Sequence, residues 1–181
     1  MKESERDAPE MACGGTPQPP SVGVTLRFEM FAFRLDHCGM TDVFTPEKRS
    51  EVMSRIRGRD TKPELALRSM LHRMGYRFTV KGPLNRGLPG KPDLVLPKYR
   101  TVIFVHGCFW HGHDSCAAFR LPKAHSAWWS RKIAGNKARD LRAENELLCR
   151  GWHVVTIWEC ALKTAAAREW LAPRLPGLLG R

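Results

Sequence analysis

The sequence predicts an α/β domain in which a mixed central sheet is flanked by helices. Two observations carry that expectation. Capped helix starts at Thr45 and Thr61 precede a run of short, apolar, strand-like segments, and one long helical stretch separates the last such segment from the others. Where two strands are joined through a helix, they pair in parallel; where a tight turn joins them, they pair antiparallel. A third observation concerns chemistry. Three histidines and two cysteines fall within the eleven residues from His106 to Cys116, more than core packing requires.

The elements follow in order. Thr45-Pro46-Glu47 supplies an N-cap, a proline at the first helical position and an acid in the first turn, predicting a helix to about Arg57. Thr61-Lys-Pro-Glu64 is a capping box that opens a second helix. Its Leu67, Met70, Leu71 and Met74 share one face, and Gly75 is placed to end it. Tyr76, Phe78 and Val80 alternate in the manner of a half-buried strand, and a Gly/Pro-dense loop runs from Lys81 to Lys91. Asp93–Leu96 and Thr101–Val105, on either side of a turn at Pro97–Tyr99, read as a hairpin of buried strands. After the Cys/His-rich loop, Trp128–Arg150 is predicted helical, with Ile133, Leu141 and Leu148 inward and Gly151 as a stop. Trp152–Trp158 is a further apolar strand and Ala165–Leu171 a short helix, giving the order ααβββαβα.

Charge narrows the class of partner. Of 181 residues, 30 are Lys or Arg and 18 are Asp or Glu, a net charge of +12. Such an excess favours a polyanion, because basic side chains displace the counterions condensed on phosphates. Ribosomal proteins, nucleases and membrane-surface proteins share that footprint. Residues 1–39 hold four basic and six acidic side chains, so the positive charge belongs to residues 40–181. The leading segment is rich in Gly, Pro and Ser and is expected to be a poorly ordered extension. Met40-Thr-Asp-Val is a candidate natural start, the upstream residues being a misplaced one; a native mass that begins before Met40 excludes this. Residues 40–181 form the expected domain.

No basic and apolar leader opens the chain, and no stretch approaches the roughly 18 continuous apolar residues of a membrane span. The six cysteines lack the even spacing of a small secreted scaffold. A reducing, cytoplasmic setting is therefore expected, and clustered Cys and His read first as metal ligands.

Asp93 follows Pro92 at the start of one strand, and the neighbouring strand ends in Val105-His106. A carboxylate at a strand end beside a second ligand-bearing strand suits a hard divalent cation such as magnesium, which takes oxygen ligands and keeps several waters. On the dipeptide alone, the plainer reading of Asp93 as a turn cap has the better claim. The loop His106-Gly-Cys108-Phe-Trp-His111-Gly-His113-Asp-Ser-Cys116 shifts the balance. Cys108, His113 and Cys116 have spacings compatible with three corners of a tetrahedral zinc site, and Cys160, just past a strand end, is the best fourth candidate. Cys149 reads as a buried core thiol. His106 and His111 are then left for acid–base work, although spacing alone allows His111 rather than His113 on zinc.

Phe109, Trp110, Trp128 and Trp129 are candidates to stack on bases or wedge between them. Trp152 and Trp158 are assigned to the core. Lys81, Lys91, Lys98, Arg131, Lys132, Lys137 and Arg139 are candidate phosphate contacts.

These residues together resemble the very short patch repair (Vsr) endonucleases, from about Thr41 to Leu162. The likeness lies in Arg59-Asp-Thr-Lys-Pro-Glu64, Leu88-Pro-Gly-Lys-Pro-Asp93, Val102-Ile-Phe-Val-His-Gly-Cys-Phe-Trp-His111, Trp129, Lys132-Ile133, Asn136 and Gly151-Trp through Trp158-Glu-Cys-Ala-Leu162. The His-Gly-Cys-Phe-Trp-His run is its most specific part. The resemblance implies a restriction-endonuclease-like fold with a structural zinc site, and nicking of double-stranded DNA 5′ to the thymine of a T:G mismatch, the product of 5-methylcytosine deamination. It implies Mg2+ on Asp93 and the Val105 carbonyl, His111 as the residue that activates water, Glu64 as a supporting carboxylate and His106 at the scissile phosphate. It further implies Zn2+ on Cys108, His113, Cys116 and Cys160, with Phe109, Trp110 and Trp129 wedging into DNA, and Lys91, Lys132 and Asn136 in the DNA contact. A monomer is expected, with mismatch-repair proteins as candidate partners and no membrane. The Asp/Glu-x-Lys pattern common in nucleases after Pro-Asp is absent, as it is in that family.

Two other readings compete. A restriction-type or structure-specific nuclease of the same fold would share Asp93 but prefer matched or branched DNA. A zinc-stapled DNA-binding module would bind without cutting.

Overall fold

The computed structural model describes residues 46–54, 60–114, 116–123 and 125–180. The leading extension, Met40, the Thr45 cap and the expected end of the first helix near Arg57 lie outside them. Helix α1 covers Pro46–Ser54. Helix α2, Lys62–Arg73, begins at the expected capping box: Thr61 caps Glu64, and the Glu64 side chain reaches back to the cap. Leu67, Met70 and Leu71 form its buried stripe, and Gly75 turns the chain with φ +81°.

Among the described residues three strands make the sheet, in the order β1-β2-β3. Strand β1 (Leu94–Leu96) pairs antiparallel with β2 (Thr101–His106) through a 3-10 turn at Pro97–Tyr99. Strand β3 (His153–Trp158) pairs in parallel with β2, residue for residue from Thr101↔His153 to His106↔Trp158. Helix α4, Ser126–Cys149, makes the crossover. The expected strand over Tyr76–Val80 does not form. Thr79 and Val95 make a single antiparallel bridge before Lys81, at φ +60°, turns the chain away. Within the expected loop, Pro83–Gly87 forms a one-turn helix, α3.

The period-two alternation of the strands sorts their side chains onto two cores. Leu94, Leu96, Ile103, Val155 and Ile157 face the stripe of α2 and the C-terminal helices α5 (Cys160–Lys163), α6 (Ala165–Leu171) and α7 (Leu175–Leu178). Val95, Val102 and Val154 face Leu88 and Leu147 on the α4 side. Leu141 departs from expectation: it is 57% exposed, while Leu147 is fully buried. At about 100° per residue, position 141 stands about 80° around the helix from Ile133, whereas 140 and 147 stay within about 40° of it. Cys149, expected in the core, is exposed at the end of α4. Trp152 packs on the α4-side core as expected, but Trp158 belongs to neither core.

Two glycines let the site loops close on α4. A Cβ on Gly90 would lie 2.9 Å from Ala143 and 3.0 Å from Phe104, and one on Gly112 would lie 2.8 Å from Ile133. Both have positive φ, so any side chain would be strained as well as crowded. Asn85, 3% exposed, fixes the approach to β1. Its Nδ2 donates to the carbonyls of Thr79 (3.0 Å) and Pro92 (3.2 Å), and its Oδ1 accepts from the Thr79 hydroxyl at 2.8 Å.

Candidate active site and metal centre

Asp93 stands just before β1, where that strand meets the end of β2. The Val105 N–H donates to Asp93 Oδ2 at 2.7 Å. A strand residue directs its N–H and C=O to the same side, so the Val105 carbonyl also faces the Asp93 side of β2. Burial pushes the Asp93 carboxyl up to about 6; the Val105 N–H opposes that, and the negative charge of Glu64 adds to it. A raised carboxyl stabilises the fold fully below its unfolded value of 3.8, and that contribution is lost as pH rises through about 6. In the metal-free protein the ionised form therefore costs up to about 3 kcal/mol above neutrality. Asp93→Asn is expected to raise the melting temperature at pH 8 without metal, the gain shrinking as pH falls and vanishing below about 4. A lower melting temperature at pH 8 would contradict this origin of the shift.

Glu64, 6% exposed, is fully engaged. Its Oε1 accepts from the Thr61 hydroxyl at 2.8 Å, and its Oε2 accepts from Arg68 at 2.8 Å and the Asp60 N–H at 3.1 Å. Arg68 also holds Asp60 at 2.6 Å, and Lys81 pairs with the other Asp60 oxygen. Charge-assisted hydrogen bonds of this kind offset the cost of burying the carboxylate.

His106 ends β2, and His111 follows one loop turn later, its N–H bonded to the Gly107 carbonyl at 3.1 Å. The two imidazoles stack at 3.8 Å with 10° between their planes. Burial, then the His111 ring beside it, holds His106 well below the usual imidazole range. His111 Nδ1 meets Asp140 Oδ2 at 2.6 Å. Burial acts to raise the Asp140 carboxyl, but the His111 hydrogen bond and neighbouring positive charge outweigh it and hold it low. Sequence reasoning missed Asp140. Its signal lay in the helical spacing: it holds the position near the Ile133 stripe that Leu141 was expected to fill.

Cys108, His113, Cys116 and Cys160 converge, their ligand atoms all within 4.8 Å of one another. His113 Nδ1 lies 3.4 Å from Cys108 Sγ and 3.6 Å from Cys160 Sγ. Zinc bonds of about 2.3 Å to sulfur and about 2.0 Å to nitrogen, set tetrahedrally, separate S from N by roughly 3.5 Å. The donor set and spacing thus fit a tetrahedral ion. Burial lowers His113, favouring the neutral imidazole that ligation needs. The bond between the Cys108 and Cys160 thiols, with burial, pushes Cys108 far up, while the same bond holds Cys160 low. Among the described residues, His106, His111 and Asp140 form the other group whose ligand atoms converge.

The aromatic side chains form one rim. Phe109 meets Trp110 at 5.2 Å and Trp129 at 5.1 Å, and Trp128, 52% exposed, sits edge-on to Trp129 at 4.7 Å. Asn136 Nδ2 donates to the Trp110 carbonyl at 2.7 Å and its Oδ1 accepts from Arg139, so it ties the rim loop to α4. Lys132 and Arg131 are exposed on the first turns of α4, and Lys91 is exposed in a left-handed conformation two residues before Asp93. Lys137 pairs with Asp114 at 3.0 Å, and Lys98 lies over the Tyr99 ring.

An anchored carboxylate, an imidazole oriented by a second carboxylate, and a half-buried aromatic rim on a basic chain are the parts of a nuclease site. Comparisons with known proteins agree. The family model for the DNA mismatch endonuclease Vsr matches residues 41–117. The type II nicking enzyme V.XorIIP of Xanthomonas oryzae pv. oryzae is 48% identical over 130 residues, 72% of this chain and 93% of that protein. V.NmeAIP of Neisseria meningitidis, also a type II nicking enzyme, is 46% identical over 70% of this chain and 88% of its own. The DNA mismatch endonuclease Vsr of Escherichia coli K12 is 44% identical over 68% of this chain and 77% of its own. The chain belongs to the Vsr DNA mismatch endonuclease family.

Proposed function

We propose that the protein nicks double-stranded DNA 5′ to the thymine of a T:G mismatch, using one magnesium-dependent site braced by zinc. The observation that carries this reading is the His111–Asp140 pair beside the buried, anchored Asp93, on motifs shared with the family. Single-strand cutting is supported by the relatives named as nicking enzymes.

Asp93 and the Val105 carbonyl would hold Mg2+, which when bound polarises the phosphoryl oxygen and stabilises the leaving oxyanion. Asp140 accepts from His111 Nδ1–H, which leaves Nε2 with the lone pair that takes a proton from the attacking water. His106, neutral through burial, hydrogen-bonds at the scissile phosphate. Glu64, fixed by Arg68, adds negative potential where the cation sits. Cys108, His113, Cys116 and Cys160 would hold Zn2+. Phe109, Trp110 and Trp129 wedge beside the mismatch, where a weak pair is cheaper to unstack, so duplex weakness becomes selectivity. Asn136 fixes the loop that carries Trp110, and Lys91 and Lys132 contact phosphates. No described helix is long and apolar enough to cross a membrane.

The test compares duplexes that differ only in a T:G or T:A pair, each strand labelled in turn, with magnesium or with chelator. A magnesium-dependent nick in the thymine strand of the T:G duplex is the expected result. Equal cutting of the matched duplex would replace this reading with a restriction-type nuclease, and binding without cutting would replace it with a DNA-binding module.

A further inference from the structure

Trp158 ends β3 directly opposite His106, which ends β2, so the two side chains leave the same face of the sheet edge as a cross-strand pair. The indole lies edge-on to His106 at 5.6 Å. On its other side it stacks flat on His113, at 4.1 Å with 2° between the planes. His106 in turn stacks on His111, and His111 bonds Asp140. One unbroken row of rings therefore runs from the Cys/His cluster to the His111–Asp140 pair.

We propose that Trp158 is a positioning residue that transmits the fixed orientation of His113 in the metal cluster to His106, and through it to His111. This rests on the reading that His106 and His111 serve the reaction. Three features favour it over simple core packing. Trp158 belongs to neither apolar core. Its Nε1 is buried without a hydrogen-bond partner, although a buried indole ordinarily uses its N–H. What this position takes from tryptophan is a flat ring. Finally, a parallel stack with a cluster ligand fixes the plane of that ring, so the cluster sets the wall against which His106 rests.

The experiment measures zinc content, affinity for a T:G duplex and single-turnover nicking rate for the full chain and for Trp158→Leu and Trp158→Phe. Leucine keeps apolar bulk but removes the plane; phenylalanine keeps the plane and relieves the unpaired N–H. Trp158→Leu is expected to lower the nicking rate at least tenfold with duplex affinity and zinc content unchanged, and Trp158→Phe to recover most of the rate. A Trp158→Leu rate equal to that of the parent, a rate loss that tracks zinc loss, or a zinc-loaded Trp158→Phe as slow as the leucine variant overturns the proposal. His111→Ala, run in parallel, separates the two levels. If it nicks at the parent rate, the reading of the site falls; if it is inactive while Trp158→Leu is fully active, only the role of Trp158 falls.

Discussion

His111→Ala is expected to slow nicking by about 10²- to 10⁴-fold, the range that a positioned general base supplies. Affinity for the T:G duplex is expected to stay close to the parent value, because the His111 ring stacks on His106 rather than joining the aromatic rim. Asp140→Asn tests the other half of the pair. An amide can still sit at 2.6 Å from Nδ1, but it no longer dictates which ring nitrogen carries the proton. A loss on the order of 10²-fold is expected, since a misassigned tautomer removes the lone pair from Nε2. Single-turnover rates and duplex binding distinguish the cases. A His111→Ala enzyme that loses binding and rate in equal proportion would show that His111 holds substrate and is not a base.

Loss of zinc is expected to have the largest effect on stability. Cys108, His113 and Cys116 lie on one loop after β2, and Cys160 begins α5 just beyond the neighbouring parallel strand β3, so one ion would pin that loop to the end of the next strand. Ligand atoms gathered to 3.4–3.6 Å without an ion hold crowded thiols together, a state that favours opening. Metal binding to such a site is folding free energy. Cys160→Ser is expected to lower zinc from about one per chain and to reduce stability by several kcal/mol, about 10 °C or more in melting temperature. Nicking is expected to fall with it, because His111 sits within the pinned loop. Full zinc retention in this variant would remove Cys160 from the site.

Much of the fold is legible in local chemistry. The capping box at Thr61–Glu64, the hairpin turn at Pro97–Tyr99, the stop at Gly75 and the helix over Ala165–Leu171 depend on neighbours in sequence, and each forms where expected. The strand expected at Tyr76–Val80 does not form, for a reason that alternation does not encode: Asn85 and Lys81 draw the chain off after one bridge. Leu141 lies outside because helical angle, not hydrophobicity, decides which side chains face the sheet, and the same angle brings Asp140 to the site. Glu64 closes the capping box and holds Arg68 with the same carboxylate, and only the capping half has a motif in the sequence. Arg68 and Asn85 are invisible in the sequence because an arginine in an amphipathic helix and an asparagine in a Gly/Pro loop carry no signal until their partners are placed. An apolar strand implies a core position for Trp158, but the register with His106 turns it to the site.

In the proposed mechanism nicking rests on Asp93 more than on any other side chain, because it is the carboxylate that would hold the cation. The most direct test is strand-resolved mapping of the cut in a T:G duplex by the parent protein and by Asp93→Ala, each with magnesium. A single nick immediately 5′ to the mismatched thymine is expected for the parent, and none for the variant despite retained binding to the same duplex. A nick at that position by Asp93→Ala would contradict the metal-binding role of this carboxylate.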